Sequence, residues 1–463
     1  MLNRFFPFLR WFPLQGESLR DDLIAGITVS LILIPQSMAY ATLAGLPVVY
    51  GLYAAFLPVM IASMWGASRF LHTGPVALLS LMSAAAIEPL ASRGTDEFIA
   101  LSMTLALMVG VLRLALGAFR MGVLINLASH PVINGFTNAA ALIIGLSLLN
   151  TFINVPMPRS DMFLRDLWHV AMQFPLAHWP TIVFGVGTLA AMSLLKKWLP
   201  RLPGVLAVVV LGTVLSAAID FEKTTVVAPE QIVDAEARAA YTQYAELEAE
   251  LARNKTAQGE VRRQIATLAK TLAHDYTLES EELRLLGEEQ SLKKQLYGQR
   301  VAVFRHALEP VAGADGALHF RAVAEPGWTA TPWRFAGIAD GQFRLSGGGQ
   351  VVGNIPAGLP SFAIPAMDLG VMSGLLGTAF IMALIGFMEA TSISRALAAK
   401  SREKLDPNQE LIGQGLANIV GSFFQSYTVS GSFSRSAVAA KSGARSGLYA
   451  IISALGVVIV MLF

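Results

Sequence analysis

This sequence predicts an all-α polytopic membrane protein, interrupted by a charged helical insert. Three observations carry that class. The 463 residues are 54% hydrophobic and only 14% charged, which is too apolar for an ordinary soluble chain. Apolar stretches recur at 22–42, 48–66, 75–90, 97–117, 122–150, 179–196, 203–219, 369–397, 410–424, 431–441 and 446–463, and most approach the roughly 20 residues a bilayer requires. Residues 221–310 break the pattern with a dense mixture of Ala, Glu, Leu, Lys and Gln. A net charge of +2 gives no case for nucleic-acid binding. With no cysteine in the chain, disulfides and thiolate metal sites are excluded.

Arg4, Arg10 and Arg20 precede a first span too long for a signal-peptide core, so it reads as a transmembrane helix. Within it Gln36 and Tyr40 follow Pro35 at a spacing of four, which puts both on one helical face. The third span begins in Leu71–Ser80 (LHTGPVALLS). There Thr73 can cap a helix, Gly74 permits close backbone approach, and Pro75 suits the first turn. Val76 and Ala77 would then offer free backbone N–H groups. Asn134 and Asn138, also four apart, read as a bridge between helices. His72 and His130 sit near span ends and read as interfacial.

In the insert, Tyr244, Leu247 and Leu251, then Val261, Ile265, Leu268 and Leu272, fall at three- and four-residue spacing. Leu285, Leu292 and Leu296 continue the pattern after a polar break at His274–Ser280. This predicts an antiparallel hairpin with a coiled-coil seam. Residues 311–350 turn Gly-, Trp- and Phe-rich, with β-like pieces such as Gln342–Leu345. The insert is either a solvated spacer that packs on itself or an arm for dimerisation or a partner.

Beyond it, Glu389 follows a long apolar run, and an intramembrane carboxylate is a functional candidate by default. Protonated, it tolerates a neighbouring anion; ionised, it repels one. The alternative is a structural ion pair with Arg435 or Arg395. The tenth span opens in Ser426–Ala437 (SYTVSGSFSRSA), where Ser430, Gly431, Ser432 and Ser434 offer caps and small size. Phe433 and Ser434 would present free N–H groups. Two helix N-termini meeting in low dielectric form an anion site, each with roughly half a positive charge. A dianion needs one more positive charge, and Arg435 supplies it, unless that side chain snorkels or neutralises a carboxylate. Ser432 and Ser434 either donate hydroxyls or permit close packing. Broken helices of this kind hold substrate in many secondary transporters.

From a cytoplasmic N-terminus, the inside loops hold Arg69, Arg120, Lys196, Lys197 and Arg201. Further along they hold Arg395, Lys400, Arg402 and Lys404, then Lys441 and Arg445. This topology places the insert outside the cytoplasm.

Pro47–Arg69 (PVVYGLYAAFLPVMIASMWGASR) closely resembles the signature of the SulP anion transporters, the sulfate permease family that includes prestin. Asp22–Pro47, Ser68–Leu81, Ser129–Leu142, Gly353–Phe362 and Phe387–Ala398 match further family blocks in order. The resemblance covers roughly 20–220 and 350–463 but not 228–310. It implies a seven-plus-seven inverted-repeat transporter fold in which a core domain moves against a gate. Residues 1–220 would form repeat one, 221–350 the insert, and 351–463 the start of repeat two. Gate segments twelve to fourteen and the usual STAS domain would lie beyond Phe463, so the chain reads as C-terminally truncated. The resemblance also implies that Gln36 and Tyr40 face substrate, that Glu389 couples a proton, and that the protein forms a homodimer.

HExxH, Walker A, GxSxG and paired metal ligands are all missing from the sequence, so neither an enzyme nor a cofactor is expected. Proton-coupled import of an inorganic oxyanion, sulfate first, is the function expected. The partners are then the anion, a proton and the lipid bilayer, with a possible partner protein on the hairpin. The predicted substrate site comprises Gln36, Tyr40, Thr73, Pro75, Val76, Ala77, Ser432, Phe433, Ser434 and Arg435. Bicarbonate, dicarboxylate or chloride exchange is the rival within transport, and a non-transporting membrane scaffold using the insert is the rival outside it. A bacterial inner membrane is the expected location.

Overall fold

The computed structural model describes residues 6–12, 16–91, 93–122, 130–157, 162–198, 204–270, 276–312, 318–323, 333–339, 342–349, 355–401 and 405–462. The chain divides into two compact units, Met1–Leu142 with Asn354–Phe463, and Ile143–Gly353.

The first unit contains two runs of elements in the same order. One run is α1 (Gly16–Leu43), the pair α2 (Val49–Ala54) and α3 (Leu57–Trp65), β1 (His72–Gly74) leading into α4 (Ala77–Ile87), and α5 (Asp96–Ala118). It continues into α6 (His130–Ser147), which crosses the boundary between units. Then come, in the second unit, α7 (Leu149–Ile153), α8 (Phe163–Met172), α9 (Trp179–Trp198), α10 (Gly204–Ala218), β2 (Thr224–Val227), α11 (Ala235–Lys270), α12 (Tyr276–Arg305), β3 (Ala307–Ala312), β4 (Leu318–Val323), β5 (Arg334–Ala339) and β6 (Gln342–Ser346). The other run of the first unit is α13 (Leu369–Ser401), α14 (Pro407–Phe423), β7 (Ser430–Ser432) leading into α15 (Phe433–Lys441), and α16 (Leu448–Leu462).

Helices α1, α5 and α13 are long and apolar enough to cross a bilayer, and α4, α9, α10 and α16 are shorter apolar helices. Thr95 caps α5 by accepting from the Phe98 N–H, with Asp96 and Glu97 in the first turn. Asp406 caps α14 through the Asn408 and Gln409 N–H groups, and Pro407 opens that helix. The predicted span 48–66 is not one helix. It breaks between Ala54 and Leu57 because Pro58, at the start of α3, cannot donate into a continuing ladder.

Helix α1 packs on α16, and α5 packs on both α13 and α14. Backbone meets backbone along α5 and α14. A Cβ on Gly110 would lie 2.7 Å from the Ile419 N, and one on Gly415 would lie 2.6 Å from the Leu114 N. Small residues at such seams let membrane helices approach closely. Leu79, Ile87, Phe98, Leu105, Val109, Met382 and Val429 fill the core around them.

The loops predicted as cytoplasmic gather at one end of this unit. Asp22 Oδ1 accepts from the Arg445 and Ser446 N–H groups at 2.7 and 3.0 Å. Glu410 Oε2 accepts from Ala67 and Ser68 N–H at 3.0 and 3.3 Å, and Asn408 Oδ1 from Gly122 N–H at 2.8 Å. Of the proposed Asn bridge, Asn138 is exposed, while the side chains of Asn134 and His130 lie outside the described residues.

In the second unit, α9 and α10 turn Val183, Leu189, Leu211 and Val214 outward. Helix α8 lies between the predicted spans 122–150 and 179–196. Helices α11 and α12 pack antiparallel: the Gln258 amide donates to Glu289 Oε2 at 2.8 Å, and the Gln299 amide to the Ala240 carbonyl at 3.0 Å. Tyr244, Leu251, Leu285 and Leu292 of the predicted seam are buried. Leu272 and His274 lie outside the described residues, and the chain is already helical from Tyr276, inside the expected polar break. Strands β2, β6 and β5 form an antiparallel sheet, and β3 pairs with β4. Tyr241, Phe320, Phe335, Phe343 and Leu345 make their core.

Candidate functional site

The site is built where the two strand-to-helix joints cross. Gly74 and Pro75 interrupt the chain before α4, and Val76 is extended at φ −137°, ψ 144°. Ser432 is likewise extended before α15, at φ −111°, ψ 122°. The two short strands pair antiparallel, with His72 opposite Ser432, Thr73 opposite Gly431 and Gly74 opposite Ser430. Helices α4 and α15 therefore leave from opposite ends of one ribbon. In α4 the ladder begins with Ser80 N–H bonded to the Val76 carbonyl at 3.0 Å. The amides of Ala77, Leu78 and Leu79 precede it and have no acceptor in their own helix, as do those of Phe433, Ser434 and Arg435 in α15.

Several expectations need correction here. Thr73 is a buried strand residue and caps nothing; Val76 is the residue at the cap position, without a side-chain bond. Pro75 precedes the helix rather than opening it, because the ribbon draws residues 72–74 into extended backbone. Ser432 occupies the other cap position, but its hydroxyl lies 3.3 Å from Ser434 Oγ instead of capping. The Phe433 ring is 60% exposed, while the expectation for this residue concerns its backbone amide, which stays among the unladdered ones. His72 is not interfacial: it is fully buried.

Arg435 joins the two helix starts. It is 0% exposed, which excludes snorkelling. Its Nε donates to His72 Nδ1 at 3.1 Å, Nη1 to Gln36 Oε1 at 2.9 Å, and Nη2 to the Pro75 carbonyl at 2.8 Å. Each of these acceptors is neutral. Among the described residues no carboxylate lies within ion-pairing distance of this guanidinium. The Gln36 amide also donates to Ser434 Oγ at 3.3 Å. Tyr40 lies one turn on, within reach of Gln36 and of the Arg435 and Glu389 charges. The face predicted on α1 thus meets the start of α15.

A second buried arginine went unnoticed in the sequence. Arg113, also 0% exposed, donates through Nη1 to the Val429 carbonyl at 2.8 Å and to Gln414 Oε1 at 3.2 Å. Its Nη2 reaches the Met382 carbonyl at 3.2 Å, and its Nε the Ala383 carbonyl at 3.3 Å. Gly386 makes room for it, since a Cβ there would lie 1.9 Å from Nη2. A cation inside the apolar run 97–117 is the signal that could have found it. Asn418 holds the same turn: its Oδ1 accepts from Val429 N–H at 2.9 Å, and its Nδ2 donates to the Val429 carbonyl at 3.1 Å.

Glu389 sits one helical turn from Gly386 on α13, under the charges of Arg113 and Arg435. Its Oε2 is buried with no hydrogen-bond partner among the described residues. Of the two ion pairs expected as the alternative, with Arg435 or with Arg395, the one with Arg435 does not form. Among the described residues no cluster of His, Asp and Glu could hold a metal ion.

Two discontinuous helices crossing through an antiparallel ribbon, with a guanidinium beside their starts, define a polytopic membrane protein of the SLC26 type of fold. The solved structure of SLC26A9 aligns with a TM-score of 0.66 at 20% identity, covering 100% of this chain and 57% of that one. The transmembrane domain of the cyanobacterial bicarbonate transporter BicA aligns at 0.62 with 17% identity, covering 97% and 84%. The chain belongs to the sulfate permease family, whose sequence profile matches residues 19–253 and 335–463. Chloroplastic sulfate transporter 4.1 of Arabidopsis thaliana is 30% identical over 456 residues, 98% of this chain and 49% of that protein. The probable sulfate transporter Rv1739c of Mycobacterium tuberculosis is 27% identical over 449 residues, 97% and 58%. The chain therefore spans about half the length of the curated relatives it matches.

Proposed function

We propose that this protein moves an inorganic oxyanion, sulfate first, across a bacterial inner membrane together with a proton. The observation that carries the reading is Arg435: a fully buried cation whose hydrogen-bond partners are all neutral, placed between two sets of unladdered helix amides. A charge in low dielectric requires a counter-charge, and an arriving anion supplies it. Gln36, Tyr40, Ser432 and Ser434 line the approach, with the amides of Val76, Ala77, Phe433 and Ser434 at the helix starts.

Charge balance favours a dianion and a proton moving together. With Glu389 neutral, Arg113 and Arg435 present two positive charges, equal and opposite to sulfate. Ionised, Glu389 cancels one of them and repels the substrate. Residues 1–220 and 351–463 supply the two halves of the carrier, 221–350 form an extracytoplasmic insert, and the working unit is a homodimer.

Counterflow of labelled sulfate from proteoliposomes tests the reading. Exchange driven by unlabelled sulfate, and weakly by chloride, bicarbonate or succinate, is expected. Preference for one of those three would select an exchanger of the same fold. If no anion stabilises or crosses with the protein, a scaffold is the better account.

A further inference from the structure

We infer that His72 is a positioning residue for the anion site: it fixes the direction in which Arg435 presents its free N–H groups. The inference rests on the reading of Arg435 as the anion's ligand and adds how that ligand is aimed.

Arginine has five N–H donors and accepts nothing. The 3.1 Å contact of its Nε with His72 Nδ1 therefore assigns Nδ1 as an acceptor. The ring's proton is then on Nε2, which lies 2.9 Å from Ser453 Oγ on α16. That hydroxyl in turn donates to the Ala450 carbonyl at 2.8 Å. The His72 backbone N–H is bound separately, to Ser436 Oγ at 2.9 Å. Every donor and acceptor on the ring is thus assigned by the chain from Arg435 to Ala450, and the imidazole cannot turn without breaking a buried bond. The ring is held by β1, α15 and α16 together, at 0% exposure.

With Nε taken by His72, one Nη1 hydrogen by Gln36 and one Nη2 hydrogen by Pro75, two of the five N–H groups meet no acceptor among the described residues. Planar, bidentate recognition of an oxyanion needs such a pair held in a fixed plane. The Nε anchor completes the three-point hold that fixes that plane. Without it only the Gln36 and Pro75 bonds at the two terminal nitrogens remain, the guanidinium can tilt about the line joining them, and an anion must order it on binding.

The test uses equilibrium binding of labelled sulfate to the protein in lipid nanodiscs, with melting temperature measured in parallel. His72→Asn places an amide oxygen near the Nδ1 position and keeps an acceptor for Arg435. His72→Gln places its amide near Nε2 and does not; His72→Ala removes both. Weakening on the order of 10- to 100-fold is expected for Gln and Ala, the range set by one hydrogen bond to a charged group. The Asn variant is expected within about threefold of wild type, and its selenate-to-chloride preference is expected to be retained. Wild-type affinity in all three variants would overturn the inference. Equal loss in all three, with Asn no better than Ala, would also overturn it by making the role one of packing. Arg435→Ala is the control for the underlying reading: unchanged sulfate affinity there would dismiss the anion site itself, whatever the His72 series shows.

Discussion

Three ionisable side chains and the Gln36 amide carry the proposed anion site. Arg113 and Arg435 are both wholly buried and bonded to neutral acceptors, and Glu389 has an orphan oxygen within reach of both charges. Replacing Glu389 by Gln keeps the shape and removes the titration. Uptake in Glu389→Gln is expected to lose its dependence on external pH, measured in proteoliposomes from pH 5.5 to 8; an unchanged profile would dismiss the coupling role. Arg113 is a different case, since four acceptors lose one donor each if it goes, although the Val429 carbonyl keeps its bond from Asn418. Each buried acceptor left unpaired costs about 1–3 kcal/mol. Arg113→Ala is therefore expected to lower the melting temperature strongly as well as to abolish sulfate binding, while Gln36→Ala, which removes a single acceptor from Arg435, is expected to weaken binding about tenfold with little loss of stability.

At the scale of elements, the crossing of β1–α4 with β7–α15 depends on two kinds of support. One is the grip of Asn418 and Arg113 on the Val429 peptide; the other is the close seam of α5 on α14. Gly110→Val puts a branched side chain where the Ile419 backbone already lies 2.7 Å from a single Cβ. It is expected to drive α5 and α14 apart and destabilise the carrier by more than 2 kcal/mol, roughly the scale of an overpacked core, read as a drop in melting temperature in nanodiscs. Much of this scale was legible in the sequence. Gly74–Pro75 and the serine-rich approach to Arg435 announced broken helices, because each residue type has a local conformational reason to interrupt a span. The pairing of the two breaks was not legible: three-residue strands carry no periodicity, and their register is set by tertiary contacts such as Thr73 opposite Gly431, 358 residues apart, which local spacing does not show. Thr73 was misassigned for the same reason, since a potential cap and a strand residue look alike until the partner strand is known. Arg113 was readable as a cation in an apolar run, but its acceptors are main-chain carbonyls, which leave no trace in a side-chain pattern.

For the whole molecule, the two segments of the first unit are separated in sequence by the unit Ile143–Gly353, and no residue of the candidate site lies in it. Its long helices α11 and α12 were readable from their three- and four-residue spacing, whereas the sheet β2–β6–β5 joins segments more than a hundred residues apart and was seen only as isolated β-like pieces. Residues 250 and 293 face one another across the hairpin by the pairing of Gln258 with Glu289 and of Gln299 with Ala240. Replacing 251–292 by a short Gly-Ser turn keeps the buried Tyr241, Tyr244 and Val303 in place. Sulfate affinity is expected to stay within about twofold of wild type, because the proposed ligands of the anion all lie in the first unit. A change from dimer to monomer in the shortened protein would identify the arm as an assembly device; an unaltered oligomer would leave it a spacer. Everything proposed for this site depends on where the anion rests. Anomalous diffraction from crystals grown in selenate measures this directly: the account places the selenium within hydrogen-bonding distance of the Arg435 guanidinium and beside the amides that open α4 and α15. A peak remote from both helix starts, with Arg435 still bonded only to His72, Gln36 and Pro75, would contradict it.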